Sequence, residues 1–121
     1  MVKVITIHGT NAGAESDHGD EWWQKGSPFQ TKLAERIDDR LEFEPFHWSG
    51  DNSETERREA GAALAKKLRK EDDPVIVIGH SHGGSVALHA LFLLFLKNPK
   101  KAMEIFRSLV TVGTPMIRYR G

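Results

Sequence analysis

The sequence predicts an α/β fold in which helices cover both faces of an open parallel sheet, giving three layers. Short β-branched, apolar runs alternate along the chain with longer amphipathic segments, which is typical of β–α–β units. One run, Val75 to Ile78, is apolar at every position, as expected for a strand that is buried on both sides. At 121 residues the chain is expected to form one domain, 1–121.

The first half of the chain predicts a strand, a helix and a second strand. Val2 to Ile7 is rich in β-branched residues and indicates the first strand. Ser27 and Pro28 supply an N-cap and a first-turn proline, so a helix is expected over about 28 to 41. Its apolar stripe comprises Phe29, Leu33, Ile37 and Leu41. Glu42 to Trp48 alternates enough for the second strand, with Pro45 at an edge or unpaired position.

The second half continues the alternation of helices and strands. Ser53 and Glu56 form a capping box that begins the second helix, and this helix ends before Pro74. The third strand, 75–78, follows it. A helix over 85–96 and a last strand over 109–112 then complete four strands and three helices.

A glycine- and serine-containing segment, Gly79 to Gly83, joins the third strand to the following helix in the pattern G-x-S-x-G. In a nucleophile elbow these small residues permit a sharp strand-to-helix turn that exposes a serine hydroxyl. The helix N-terminus adds a partial positive charge near that serine. The pattern predicts Ser81 as a catalytic nucleophile; the alternative is a turn with a purely structural role.

The loop after the first strand is a candidate oxyanion loop. An oxyanion hole needs one amide from the residue after the nucleophile and one from a loop that follows a neighbouring strand. His82 follows Ser81, and the loop begins with His8, Gly9 and Thr10. We therefore expect Thr10 and His82 to donate the two amides. The alternative is an ordinary strand-end turn in which His8 is a structural histidine.

Four segments carry a resemblance to a known family: Val4 to Thr10, Trp48 to Gly50, Val75 to Gly84 and Thr111 to Pro115. On these segments the chain resembles the N-terminal portion of an α/β-hydrolase domain of the lipase/esterase type. The resemblance implies a partial α/β-hydrolase fold with strand order 2-1-3-4 and an acyl-enzyme on Ser81. It implies no cofactor. It implies no particular substrate, because this fold hosts many acyl-transfer reactions.

The acid and the histidine of a hydrolase triad are missing at their expected places. In these enzymes the chain order is Ser, then Asp or Glu, then His. After Ser81 the only carboxylate is Glu104, and the two histidines, His82 and His89, both precede it. His89 also lies eight residues along the helix, about 12 Å from Ser81 at about 1.5 Å per residue. The required order therefore cannot be met within this chain.

Two explanations for the missing base remain open. Either a further part of the domain or a partner chain supplies the acid and the histidine, or an upstream histidine, His18 or His47, acts as the base. The helix favours the first explanation, because Leu91 to Leu96 place apolar groups on all its sides and such a helix needs cover on more than one side. An isolated chain is expected to expose an apolar patch and to self-associate.

The segment Thr10 to Gly26 is long enough to have a function. Trp22 and Trp23 are candidates for a lid or a substrate-binding surface over an acyl or aromatic group; the alternative is that one of them packs against the first helix. No metal site is expected here, because the acidic and histidine ligands would all come from one flexible segment.

Composition excludes several other classes of function. The 17 Lys and Arg balance the 17 Asp and Glu, so no net field attracts nucleic acid. The absence of Cys excludes disulfides, thiolate catalysis and Cys-ligated zinc. The longest apolar run, Val86 to Leu96, is shorter than the roughly 20 residues of a transmembrane helix. No signal peptide is recognisable, so a cytoplasmic location is expected.

The prediction is therefore a serine hydrolase that acts on a small-molecule ester or thioester. The alternative is a catalytically inert binding or assembly module with the same fold.

Overall fold

The computed structural model describes residues 1–9 and 16–114. The elements of that part are β1 (Val2–Ile7), α1 (Pro28–Arg36), β2 (Leu41–Phe46), α2 (Glu54–Leu68), β3 (Val75–His80), α3 (His82–Lys97), α4 (Pro99–Ile105) and β4 (Phe106–Val112). The strands form a 4-stranded sheet with the order β2-β1-β3-β4. Each neighbouring pair is parallel. The structure thus confirms the α/β fold and the predicted strand order.

The main core lies between the sheet and helices α2 and α3. Helices α2 and α3 pack against each other, and α3 packs on the sheet. With this strand order, the usual right-handed crossovers put α1 on the opposite face. Successive strand residues point to opposite faces, so the strands contribute to both layers. Buried core residues include Ile5, Ile7, Leu64, Val75, Val77, Val86 and Leu94. Trp23 is buried next to β1, where the Thr6 hydroxyl donates a hydrogen bond to the Trp23 carbonyl at 2.7 Å.

Helix α1 is shorter than the sequence predicts. It ends at Arg36 rather than at residue 41, because Ile37 has an extended backbone with φ −110° and ψ 128°. Leu41 is the first residue of β2, so the four-residue apolar spacing continues past the end of the helix. The expected stripe is also wrong at its start: Phe29 is exposed, and Gln30 is the buried residue of this helix.

The other elements differ from the prediction mainly at their ends. β2 ends at Phe46 rather than at residue 48, and β3 continues to His80, two residues beyond its predicted end. α3 begins at His82 rather than at residue 85. Its first turn contains two glycines, which are poor helix formers, so local propensity puts the start of the helix too late. β4 begins at Phe106 rather than at residue 109. α4 was not expected; its 7 residues are too few to show a clear helical period.

Helix α3 is only partly covered by the described residues. Phe92 is 63% exposed and Leu96 65% exposed, and Leu88 and Phe95 are exposed beside them. The apolar surface that was expected for this helix is therefore present. Despite this apolar character, none of the helices within 1–9 and 16–114 combines the length and apolarity that crossing a membrane requires.

Candidate active site

Ser81 lies between β3 and α3 at the carboxyl end of the sheet, where parallel α/β sheets hold their sites. Its backbone has φ 54° and ψ −128°, and it is the one non-glycine residue with a positive φ in the described part of the chain. Such a conformation costs about 1–3 kcal/mol and persists only where the surrounding structure imposes it. The chain therefore makes a sharp, strained turn at Ser81, which we call the elbow.

Hydrogen bonds from two sides hold the Ser81 backbone. Its N–H donates to the Val112 carbonyl at 2.8 Å, and its carbonyl accepts the Gly84 N–H at 3.0 Å. The Thr114 hydroxyl donates to the same Ser81 carbonyl at 2.8 Å. The Ser81 side chain makes no hydrogen bond that caps α3. The elbow is therefore fixed through its backbone, and capping does not occupy its hydroxyl.

Gly79 permits the close packing on which the elbow depends. A Cβ atom at this position would stand 2.7 Å from the Gly84 nitrogen and from the Gly83 carbonyl oxygen. Backbone atoms cannot move away as a flexible side chain could, so any larger residue would separate β3 from the start of α3. This contact explains the first glycine of the G-x-S-x-G pattern.

Gly9, just after β1, lies against the elbow. A Cβ atom at Gly9 would lie 3.2 Å from the Ser81 Cβ and 3.1 Å from the His80 carbonyl oxygen. Thr10, which is expected to provide one oxyanion amide, lies outside the described residues. His82, which is expected to provide the other, is the first residue of α3. Burial, followed by the nearby charge of Arg57, lowers the pKa of the His82 ring, which favours the neutral ring.

His8 is a buried histidine at the start of this loop. Its ring stacks on Trp48 with ring centroids 5.8 Å apart, and the Trp48 Nε1–H donates to the His8 carbonyl at 2.9 Å. The His8 Nδ1 lies 3.1 Å from the Gly9 carbonyl oxygen, a geometry in which a protonated Nδ1 donates. Burial lowers the pKa of His8. A neutral His8 therefore anchors the loop that approaches Ser81.

Of the two upstream histidines, His47 has a carboxylate partner in the described part of the chain. Its Nε2 contacts the Asp17 Oδ1, and this hydrogen bond lowers the pKa of Asp17. His47 follows β2, which β1 separates from β3. With strands about 4.8 Å apart, its backbone lies roughly 10 Å to the side of the elbow. His18 is exposed, and its backbone bridges to Lys25.

The two adjacent tryptophans have different surroundings. Trp23 is 2% exposed, and its ring centroid lies 5.3 Å from that of His8. Trp22 is half-buried and makes an edge contact with Phe29 of α1 at 5.9 Å. A second edge contact joins Trp22 to His80 at 6.2 Å. Trp22 therefore packs on α1, as the structural alternative expects, and also reaches the residue before Ser81, whereas Trp23 belongs to the interior.

Two contacts of this region, that of Thr114 with Ser81 and that of Asp17 with His47, are not predicted by the sequence. The Thr114 side chain contacts a residue 33 positions earlier, and Asp17 and His47 are 30 positions apart. No local pattern marks such pairs. The position of Thr114 directly after a strand that ends beside β3 is the single sequence feature that could have suggested it.

The chain is similar to a known protein family over most of its length. The sequence model of the alpha/beta hydrolase family matches residues 4–120. No curated protein matches the chain. The family match begins within β1 and continues through the other three strands and the elbow. The chain belongs to the alpha/beta hydrolase family.

Proposed function

We propose that this protein is a serine hydrolase that acts on a small-molecule ester or thioester through an acyl-enzyme on Ser81. The observation that carries the proposal is the Ser81 backbone, which is held at φ 54° between a parallel strand and the start of a helix. Membership of a hydrolase family supports hydrolysis in general. The elbow supports the choice of nucleophile, because the strained turn presents one hydroxyl that does not cap the helix.

In the proposed reaction the Ser81 Oγ attacks the substrate carbonyl carbon while a general base takes the hydroxyl proton. The His82 N–H and a second amide, which we assign to Thr10, donate hydrogen bonds to the oxyanion. The positive end of α3 adds to this stabilisation. The tetrahedral intermediate then expels the alcohol or thiol and leaves an acyl ester on Ser81. Attack by water releases the acid and restores the serine.

We assign the acid and the histidine to residues outside 1–121, either in a further part of the domain or in a partner chain. The histidines after Ser81 support this assignment, because His82 begins α3 and His89 lies against α2. A Cβ at Gly61 of α2 would stand 2.7 Å from the His89 Cδ2. The exposed apolar side chains of α3 and the exposed Val110 and Val112 of β4 offer a surface on which such a part could pack.

The contact between Asp17 and His47 favours a second source of the base. A carboxylate that accepts a hydrogen bond from an imidazole orients the ring and stabilises its protonated form. In the structure the His47 Nε2 faces Asp17, and its ring packs edge-on against Trp23 at 5.8 Å. To reach Ser81, His47 would have to leave these contacts and extend past the end of β1.

Fluorophosphonate labelling, read by intact mass, tests these assignments. The reagent phosphonylates a serine that has oxyanion donors and a base. We expect slow labelling of the protein in buffer, faster labelling when imidazole is added to replace the missing base, and none in Ser81→Ala. Ser81→Ala controls for the reaction of other nucleophiles with the probe.

The other outcomes distinguish the alternatives. Rapid labelling without imidazole that is lost in His47→Gln would contradict a base outside the chain and identify His47 as the base. Absence of labelling under every condition, in a protein that is folded by circular dichroism, would refute the nucleophile assignment. That result would favour the inert binding or assembly module.

A further inference from the structure

The Thr114 side chain covers the backbone of the elbow. Its hydroxyl donates to the Ser81 carbonyl at 2.8 Å. A Cβ at Gly84 would overlap the Thr114 hydroxyl and would stand 2.9 Å from the Thr114 Cβ. Gly113, with φ 63°, turns the chain directly after β4, and Thr114 is the next residue. The absence of a side chain at Gly84 therefore makes room for Thr114 in the first turn of α3.

The atom that Thr114 holds belongs to the same peptide group as the proposed oxyanion donor. The Ser81 carbonyl and the His82 N–H share one planar peptide. In a trans peptide these two bonds point in opposite directions, and no described peptide bond is cis. Fixing the carbonyl oxygen on one side therefore fixes the direction of the N–H on the other.

Two donors hold this carbonyl oxygen, and they come from different elements. The Gly84 N–H, at 3.0 Å, belongs to the first turn of α3 itself. The Thr114 hydroxyl comes from the end of β4 and ties the turn to the sheet. Because the backbone of Ser81 is in a strained region, φ 54° and ψ −128°, it needs such external contacts to keep its orientation.

We propose that Thr114 is a positioning residue. Its hydrogen bond to the Ser81 carbonyl fixes the orientation of the peptide group and so directs the His82 N–H, on the opposite side, toward the oxyanion. This inference rests on the proposed function of Ser81. Thr114 touches neither the substrate nor the reacting atoms. Its effect is therefore on the stabilisation of the transition state rather than on the binding of the substrate.

The test compares Thr114→Val, which keeps the shape and loses the hydroxyl, with Thr114→Ser, which keeps the hydroxyl. Fluorophosphonate labelling with imidazole is measured over a range of probe concentrations. In Thr114→Val we expect the maximal labelling rate to fall about tenfold, less than the effect of deleting an oxyanion donor. The half-saturating probe concentration stays unchanged, and Thr114→Ser restores the rate. Thr114→Ala serves as a second variant without the hydroxyl if the valine variant does not fold.

Hydrogen exchange of the backbone provides a readout that is independent of activity. We expect the Gly84 amide, which donates to the same Ser81 carbonyl, to exchange faster in Thr114→Val and to remain as in the wild type in Thr114→Ser. A normal labelling rate in Thr114→Val, or equal losses in the valine and serine variants, would overturn the proposal. If the wild-type protein is not labelled at all, the proposed function fails. Exchange then distinguishes two cases: unchanged exchange in Thr114→Val shows that Thr114 does not hold the turn either, and faster exchange restored by serine shows that it holds the turn although the oxyanion role fails with the proposed function.

Discussion

Replacing Ser81 by glycine tests the geometry of the elbow without an assay of activity. At φ 54° and ψ −128° a Cβ atom is strained by about 1–3 kcal/mol, and glycine avoids this strain. Glycine also makes the unfolded chain more flexible, which costs about 0.5–1 kcal/mol. The difference leaves Ser81→Gly more stable than Ser81→Ala by about 1 kcal/mol. Alanine is the proper reference because it removes the hydroxyl and retains the Cβ.

The free energy of unfolding is measured by urea denaturation at pH 7 and checked by the melting temperature. A difference of about 1 kcal/mol corresponds to roughly 4 °C for a domain of this size. Ala62→Gly is a matched control, because Ala62 is exposed within α2 and glycine there should lower the stability by about 1 kcal/mol. If Ser81→Gly were no more stable than Ser81→Ala, the conclusion that the Ser81 backbone is strained would be refuted.

Two further predictions concern the packing and the charges around the sheet. Gly61→Ala should lower the melting temperature, because its Cβ would stand 2.7 Å from the His89 Cδ2. Overpacking of this kind costs about 1–3 kcal/mol. This cost outweighs the gain of about 1 kcal/mol in helix propensity when glycine is replaced by alanine. Adding His89→Ala should remove most of this loss, and a Gly61→Ala protein as stable as the wild type would contradict the close approach of α2 to α3. For Glu44, burial would raise the pKa, but hydrogen bonds from Lys67 and Lys3 outweigh it and lower the pKa below 4.5. This stabilisation is present above pH 4.5 and is lost as the pH falls through the lowered pKa, so Glu44→Gln should be less stable than the wild type at pH 7, and the difference in urea midpoint should shrink in acid. If the difference in urea midpoint between Glu44→Gln and the wild type stayed constant with pH, this would contradict a stabilising role for the ion pairs of Glu44 with Lys3 and Lys67.

The features that the sequence predicted correctly depend on residues that lie close together along the chain. Ser53 caps α2 by accepting the Glu56 N–H at 3.4 Å, which is the serine half of the predicted capping box. The reciprocal half is wrong, because the Ser53 N–H donates to the Asp51 carbonyl at 2.8 Å and not to Glu56. The apolar run at 75–78 forms the buried strand β3. The end of α1 was wrong because the apolar spacing that marks a helix continues through Ile37 to Leu41, whereas the pairing of Leu41 with Val2 of β1 draws it into the sheet.

The candidate site also combines a feature that local sequence indicates with contacts that only the folded sheet creates. Ser81 could be proposed as the nucleophile from the sequence because an elbow needs its glycines within two residues on either side. Thr114 contacts Ser81 only because β4 lies beside β3 in the sheet. Likewise, Asp17 reaches His47 only because β1 and β2 are neighbours and the chain returns near their ends. Such contacts follow from the strand order and have no local signature in the sequence.

Trapping the acyl-enzyme tests the central claim most directly. The protein and Ser81→Ala are mixed with p-nitrophenyl butyrate and imidazole, quenched with acid, and analysed by intact mass and peptide mapping. We predict one butyryl group per chain on the peptide that contains Ser81, and none at that position in the alanine variant. A butyryl group on another residue, at equal levels in both proteins, or no acylation at Ser81 would contradict the assignment of Ser81 as the nucleophile.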